Sequence, residues 1–384
     1  MKTSLIQKYN VPGPRYTSYP TVPYWDEIGF TTQNWIDSFK KSFEESNDKE
    51  GISLYIHLPF CESLCTFCGC NKSFEGHPNN TTRQHLQKLY DLGFRRVSFG
   101  VQDYSEKVQK AIHREQPFHN VAKVTFWAKE IGYTSIGHDI IFGLPFQEMD
   151  DVIDTIEKTK SLEPDRLAFY SYAHVPWIKG NGQRGFKDED VPRDDAKRRL
   201  YEIGKELLYE NEYYEIGMDH FALKTDSLYK AFKNNTLHRN FMGYSSSKTQ
   251  LMVGLGVSSI SDSWYGFAQN VKNLEDYYQL LEWDKLPVLR GHILTEEDLK
   301  IRKHILNLMC QFETSWEEES DYFNEIPEII IQLKEMENDG LLIISKNGIQ
   351  ITEKGKPFVR NICMAFDLRL KRKAPETELF SMTV

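Results

Sequence analysis

The chain has no apolar run approaching the roughly 20 residues needed to span a bilayer. Its first residues, Met1-Lys-Thr-Ser-Leu-Ile-Gln-Lys-Tyr9, lack the apolar stretch of a secretory leader. A soluble, cytoplasmic protein with no membrane partner is therefore expected. Positive charge is short as well: 47 Lys and Arg stand against 56 Asp and Glu, a net charge of −9. That balance argues against a nucleic-acid partner, and the late basic run Arg369, Lys371, Arg372 and Lys373 reads as a solvated tail. Cysteine is scarce, with six in 384 residues, so the chain is no disulfide-stapled scaffold.

The cysteines that are present are concentrated. Four fall in Cys61-Glu-Ser-Leu-Cys65-Thr-Phe-Cys68-Gly-Cys70. Cys61, Cys65 and Cys68 have the spacing C-x3-C-x2-C, and three thiolates can hold three irons of a [4Fe–4S] cube. The fourth iron then stays open to a small molecule. Cys70 follows Cys68 too closely for the pairs of a zinc site. A structural zinc would also want a second ligand pair, and Cys310, Cys363 and 11 histidines form no obvious one. Zinc and a disulfide stay open as the less favoured readings.

The rest of the pattern is α/β. The proline-rich Val11-Pro-Gly-Pro-Arg-Tyr-Thr-Ser-Tyr-Pro20 must be extended. A helix is expected over 32–46 and an apolar strand over 52–58, ended by Pro59. Strands are expected over 72–76, 95–102, 135–143, 166–172 and 213–218. Helices alternate with them over 81–92, 105–113, 120–132, 149–162 and 194–210. Repeated β-then-α predicts a parallel sheet covered by helices, curved or barrel-like. In such folds the site lies at the C-terminal strand ends. The cysteine loop, Gln102, Asp139 and Ala173 fall at or near such ends. From Thr295 the pattern becomes helix, helix, then a hairpin over 341–352 turning at Asn347-Gly348, which is winged-helix-like. The helix that would face DNA carries Glu328, Glu335, Glu337 and Asp339 against Lys334, so phosphate would be repelled. The expected domains are an arm and helix (1–50), a barrel (51–285) and a helical domain (286–384).

Tyr55-Ile-His-Leu-Pro-Phe-Cys-Glu-Ser-Leu-Cys-Thr-Phe-Cys-Gly-Cys70 resembles the signature of radical S-adenosylmethionine enzymes. The proline-rich arm, Cys70, Gly100-Val-Gln-Asp103 and Asp139-Ile-Ile-Phe-Gly-Leu-Pro145 narrow the likeness to the oxygen-independent coproporphyrinogen III oxidases (dehydrogenases). Leu237-His-Arg-Asn-Phe-Met-Gly-Tyr244 and Gly254-Leu-Gly-Val-Ser-Ser-Ile260 fit the same family. The resemblance implies a radical-SAM (β/α) barrel, a [4Fe–4S] cluster on Cys61, Cys65 and Cys68, and two molecules of S-adenosylmethionine. Tyr55, Glu75 and Ile260 resemble contacts to the first molecule. Phe67, Gln102, Arg114, Asp139 and Ala173 resemble contacts to the second. The implied reaction is oxidative decarboxylation of coproporphyrinogen III to protoporphyrinogen IX, in heme and porphyrin biosynthesis, by a 5′-deoxyadenosyl radical. The implied partners are that substrate and an electron donor such as flavodoxin or ferredoxin, with the chain a monomer. A porphyrin-binding relative without catalysis is the alternative on the same fold.

The chain departs from that family in one place. Members carry a helix, a strand ending in Gly-Gly-Gly-Thr-Pro, a helix and the start of a further strand between the cysteines and the Glu75 region. Here Cys70-Asn71-Lys72 runs directly into Ser73-Phe-Glu-Gly-His-Pro, and no Gly-Gly-Gly-Thr-Pro occurs. A parallel crossover needs about a dozen residues or more, usually with a helix. The cysteine loop uses most of what lies between Leu58 and Ser73. An incomplete barrel with unpaired edges is therefore expected, and with it impaired cluster retention, cofactor binding or folding.

Overall fold

A computed structural model describes residues 4–26, 28–57, 78–175, 183, 186–373 and 379–383. The expected strand over 72–76 lies outside them. The chain divides into two compact units. One is residues 1–10 with 60–234, and the other, which encloses it in sequence, is 11–59 with 235–383.

The first strand, β1 (Ser53–Ile56), belongs to the enclosing unit and is shorter than its apolar run. The helix before it, Thr32–Glu50, runs one turn past the expected end, to Gly51. The inserted unit follows with β2 (Arg96–Gln102), β3 (Ser135–Phe142), β4 (Arg166–Ser171), β5 (Tyr214–Gly217) and β6 (His220–Ala222). Their order in the sheet is β2-β3-β4-β6-β5. β2, β3 and β4 are parallel, as the βαβ spacing predicts. The last two are not. β5 and β6 are antiparallel, and β6 is antiparallel to β4. The reason is local: only Met218 and Asp219 separate the two strands, and Asp219 takes φ +64°, so the chain reverses in a tight hairpin.

Side-chain alternation decides what each face of this sheet meets. Ile140, Phe142, Leu167 and Phe169 pack with Val152 and Leu200 of the covering helices in the main core. His138 is fully buried on the helix side, bonded through Nε2 to Thr125 Oγ1 at 2.9 Å. The opposite face is mixed: Ser98 Oγ donates to Asp139 Oδ1 at 2.9 Å, while Ile141 packs with Val108, Ile112 and Leu144.

The enclosing unit continues with β7 (His238–Asn240), β8 (Gly243–Ser245), β9 (Leu251–Leu255), β10 (Ile260–Ser263), β11 (Gly266–Asn270) and β12 (Val288–Ile293). Its main sheet runs β1-β9-β10-β11-β12, with β1 parallel to β9 and the others antiparallel. The C-terminal part holds β13 (Glu313–Ser315), β14 (Leu342–Ile344) and β15 (Gly348–Ile351) with helices Glu296–Gln311 and Ile326–Asn338, the winged-helix-like set. The expected capping box is present: Thr295 Oγ1 accepts from Asp298 N, and Asp298 Oδ2 accepts from Thr295 N. The hairpin turn lies one residue earlier than expected. Ser345 N donates to Gly348 O at 2.9 Å, so Lys346 and Asn347 form the loop. Gly348 serves another purpose: a Cβ there would stand 2.5 Å from the Thr314 carbonyl, so β13 can pair only with a glycine.

No closed barrel forms among the described residues. β1 ends one sheet and β2 ends the other. Apolar side chains stand exposed along both edges: Leu54 at 62% and Ile56 at 55% on β1, and Leu92 at 77% and Phe94 at 49% just before β2. Exposed apolar side chains on an edge strand are prone to association.

Candidate active site

In the inserted unit, three of the expected residues meet around the ends of β2 and β3. Gln102 closes β2 in the left-handed region, φ +67°, and is buried. The ladder to β3 shifts register between Gly100 and Gln102. That bulge releases the carbonyls of Gly100 and Val101 from the sheet. Val101 O then accepts from Asp103 N at 3.0 Å, and side chains meet Gly100 O. Arg114 Nη2 donates to Gly100 O at 2.7 Å, and Gln116 Nε2 donates to Gly100 O at 3.1 Å. Gly100 pairs across the ladder with Asp139, so Arg114, Gln102 and Asp139 surround one backbone position. Arg114 is buried, and its Nε has no partner. That Nε is a charged donor still able to meet an anionic acceptor. Asp139 lies three residues before the end of β3 rather than at its tip, because that strand runs on to Phe142. Ala173 lies two residues past the end of β4, and its carbonyl accepts from the buried Gln183 amide at 2.9 Å.

Residues that no motif pointed to hold this arrangement. Gln109 donates to Asp103 O at 2.8 Å and to Gln116 O at 2.9 Å. Gln147 ties the β2 and β3 loops together. Its Oε1 accepts from Gly143 N at 2.6 Å, and its Nε2 donates to Asp103 Oδ2 at 2.7 Å and Ile141 O at 2.9 Å. Asp103 is fully buried, and burial pushes its carboxyl up to about 7, opposed by the bonds from Gln147 and Ser105. A glutamine just after Leu144-Pro-Phe is an ordinary surface residue by type. Only the fold shows it inside.

Tyr55 and Ile260 lie in the enclosing unit. Tyr55 pairs across the sheet with Gly254, its hydroxyl bonds His57 Nδ1, and its ring meets Phe241 edge-on at 5.0 Å. The His57 imidazole is held below its ordinary range by burial, which favours the neutral ring. Ile260 opens β10 and is half-buried against the Trp25, Phe267 and Leu294 cluster. The Gly254-Leu-Gly256 stretch between them is tightly held. Gly256 has φ +102°, and a Cβ there would stand 2.3 Å from the His57 carbonyl. Asn270 Nδ2 donates to Gly256 O at 2.9 Å and Gly254 O at 3.3 Å.

Cys61, Cys65, Phe67, Cys68, Cys70 and Glu75 lie outside the described residues. Among the described residues, no group of three or more His, Cys, Asp or Glu is placed to hold a metal. Cys310 and Cys363 are buried, and burial pushes the Cys310 thiol up to about 12 and Cys363 higher still. Neither is a ready thiolate. No helix among the described residues is long and apolar enough to cross a membrane.

Comparison with known proteins gives the family. The Radical SAM superfamily profile matches residues 73–159. The oxygen-independent coproporphyrinogen III oxidase of Escherichia coli K12 is 34% identical over 448 aligned positions, covering 97% of this chain and 96% of the relative. The enzyme of the same name from Synechocystis is 31% identical, covering 99% and 97%. Because this chain has 384 residues, at least 64 of the 448 positions in the first alignment have none of its residues opposite them. A solved Escherichia coli coproporphyrinogen III oxidase, described as a radical SAM enzyme, superposes with a TM-score of 0.85 at 31% identity, covering 92% of this chain and 97% of that one. With such identity along nearly its whole length, this chain belongs to the oxygen-independent coproporphyrinogen III oxidases of the radical SAM superfamily.

Proposed function

We propose that this chain carries the site for oxygen-independent oxidative decarboxylation of coproporphyrinogen III to protoporphyrinogen IX, and that the missing segment impairs its use. The observation that carries the first half is the group around Gly100. A buried arginine with a spare donor, a half-buried aspartate and a left-handed glutamine are gathered there on adjoining strands and loops. The open edges of β1 and β2 carry the second half.

Cys61, Cys65 and Cys68 would hold a [4Fe–4S] cluster, which with S-adenosylmethionine supplies the hydrogen-abstracting power of the reaction. The protein's own part is placement. Arg114 would pair a carboxylate of one S-adenosylmethionine, and Asp139 would accept from its hydroxyl or amino groups. Gln102 and the loop after Ala173 would border it. Tyr55, pinned by His57, and Ile260 would border the other molecule, with Glu75 accepting from its ribose. Phe67 would stand next to the second. An external one-electron donor of flavodoxin or ferredoxin type is required, and the chain acts as a monomer.

The test is anaerobic. The purified chain is reconstituted with iron and sulfide, reduced with dithionite, and assayed for 5′-deoxyadenosine and CO2 with and without coproporphyrinogen III. Slow, substrate-stimulated release of both supports the proposal. Rates equal to those of a full-length relative would remove the impairment. A bound cluster and bound porphyrin with no nucleoside would favour a porphyrin-binding protein instead.

A further inference from the structure

β1 ends the main sheet of the enclosing unit, and no strand among the described residues pairs with its outer edge. His57 N donates to Leu255 O at 2.8 Å. Alternate residues of a strand bond to the same side. Ser53, Tyr55 and His57 therefore face β9, and the N–H and C=O groups of Leu54 and Ile56 point away from it. Side chains alternate the other way, across the sheet. Leu54 and Ile56 share one face with Leu255, the partner of Ile56 in the ladder, and all three are exposed, Leu54 most at 62%. The edge calls for a strand, and the apolar face for a covering helix.

The other end of the same sheet is finished differently. The ladder between β11 and β12 shifts register at Gln269 and Asn270, and Arg290 on β12 donates through Nε to Gln269 Oε1 at 2.9 Å. A bulge and a charged residue are devices that blunt an edge. β1, Ser53-Leu-Tyr-Ile56, carries no charge, proline or register shift, which is the make-up of an inner strand. The relatives give the size of what could complete it. The 448 aligned positions against 384 residues leave at least 64 without a counterpart here. The superfamily profile begins only at residue 73, past β1 and the cysteines. A strand of about 6 residues and a helix of about 12 fit well within that length.

We propose that the β1 edge and the apolar face beside it dock a separate polypeptide of apolar strand and amphipathic helix, so that the chain is completed in trans. The strand pairs with Leu54 and Ile56, and the helix lies over Leu54, Ile56 and Leu255. The docking rests on the edge itself. Recovery of chemistry on docking rests on the function proposed above.

The test uses the full chain without cluster or S-adenosylmethionine, so its failure is independent of the activity assay. The probe is the stretch of the Escherichia coli relative that has no counterpart here, made as its own polypeptide, labelled, and titrated by fluorescence anisotropy. Saturable binding is expected. Hydrogen exchange resolved to single residues should slow about tenfold or more at the Leu54 and Ile56 amides, while Tyr55, already bonded to β9, changes little. Leu54→Lys should raise the dissociation constant about tenfold or more. Leu289→Lys, at a comparably exposed position on the finished edge, should bind like the parent. No binding, equal binding of a scrambled probe, equal loss in the two lysine variants, or binding without protection at Leu54 and Ile56 would each overturn the proposal. So would protection of those amides in the concentrated parent alone with a doubled mass in sedimentation, which would assign the edge to a second copy. Should Leu54→Lys not fold, Ile56→Lys and the parent exchange pattern decide by the same criteria. The anaerobic assay is then repeated with the probe bound. Docking with faster release of 5′-deoxyadenosine supports both readings; docking without any nucleoside supports the surface and counts against the proposed function alone.

Discussion

Asp103 offers a test in which nearly every other group cancels. Its carboxyl is fully buried, accepts from Ser105 N at 2.6 Å and Gln147 Nε2 at 2.7 Å, and is pushed by burial from 3.8 to about 7. A carboxyl raised on folding stabilises the folded state below its unfolded value, and that contribution is lost as pH rises through the folded value. Between pH 4 and 8 the loss amounts to about 4 kcal/mol. Asp103→Asn removes the titration. The amide must turn an NH2 toward one of the two donors, which costs about 1–3 kcal/mol at every pH. The difference between variant and parent should therefore drift by about 4 kcal/mol in favour of the variant from pH 4 to 8. Urea unfolding at half-unit pH steps, followed by near-ultraviolet circular dichroism, measures that drift. Parallel pH profiles would refute the reasoning. They would mean that the two donors hold the carboxylate ionised in spite of burial.

Gln147→Leu leaves Gly143 N without its Oε1 acceptor and Asp103 with Ser105 N but not the amide donor at Oδ2, and should cost about 2–4 kcal/mol in urea unfolding. A loss below about 0.5 kcal/mol would remove its bridging role. Gly256→Ala places a Cβ 2.3 Å from the His57 carbonyl at φ +102°, and should destabilise by about 2 kcal/mol or more; an equally stable variant would contradict the close approach. Leu54→Lys charges an edge position that is 62% exposed. It should slow aggregation measured by light scattering with a stability change within about 0.5 kcal/mol, and unchanged aggregation would show that this edge is not the sticky one.

Long periodic segments were legible because burial on one face writes itself into the sequence. The helix Asp194–Glu210 and the parallel strands β2 to β4 fall almost where the pattern puts them. The Thr295 cap was readable because its geometry needs particular residues at fixed spacing. Short strands were not. β6 has three residues and β10 four, too few for a period, and what they pair with depends on residues far along the chain. The Asn347-Gly348 pair misled because glycine there meets a close approach of β13 rather than a turn. Motif residues located the Gly100 group, but not its supports. Gln109, Gln116 and Gln147 act through backbone carbonyls and amides, which carry no side-chain signature. The open barrel followed from counting residues between two strands.

The pairing of Ser53 with Met252 has a consequence for synthesis on the ribosome. The inserted unit is nearly contiguous, residues 60–234, and can gather its sheet as soon as it emerges. β1 emerges earlier but must wait for β9, so the enclosing unit closes a very long loop before any of its sheet contacts repay the entropy. During that interval β1 is an apolar ribbon without a partner. The order of translation thus makes this strand the natural customer of a chaperone, whatever the finished protein does.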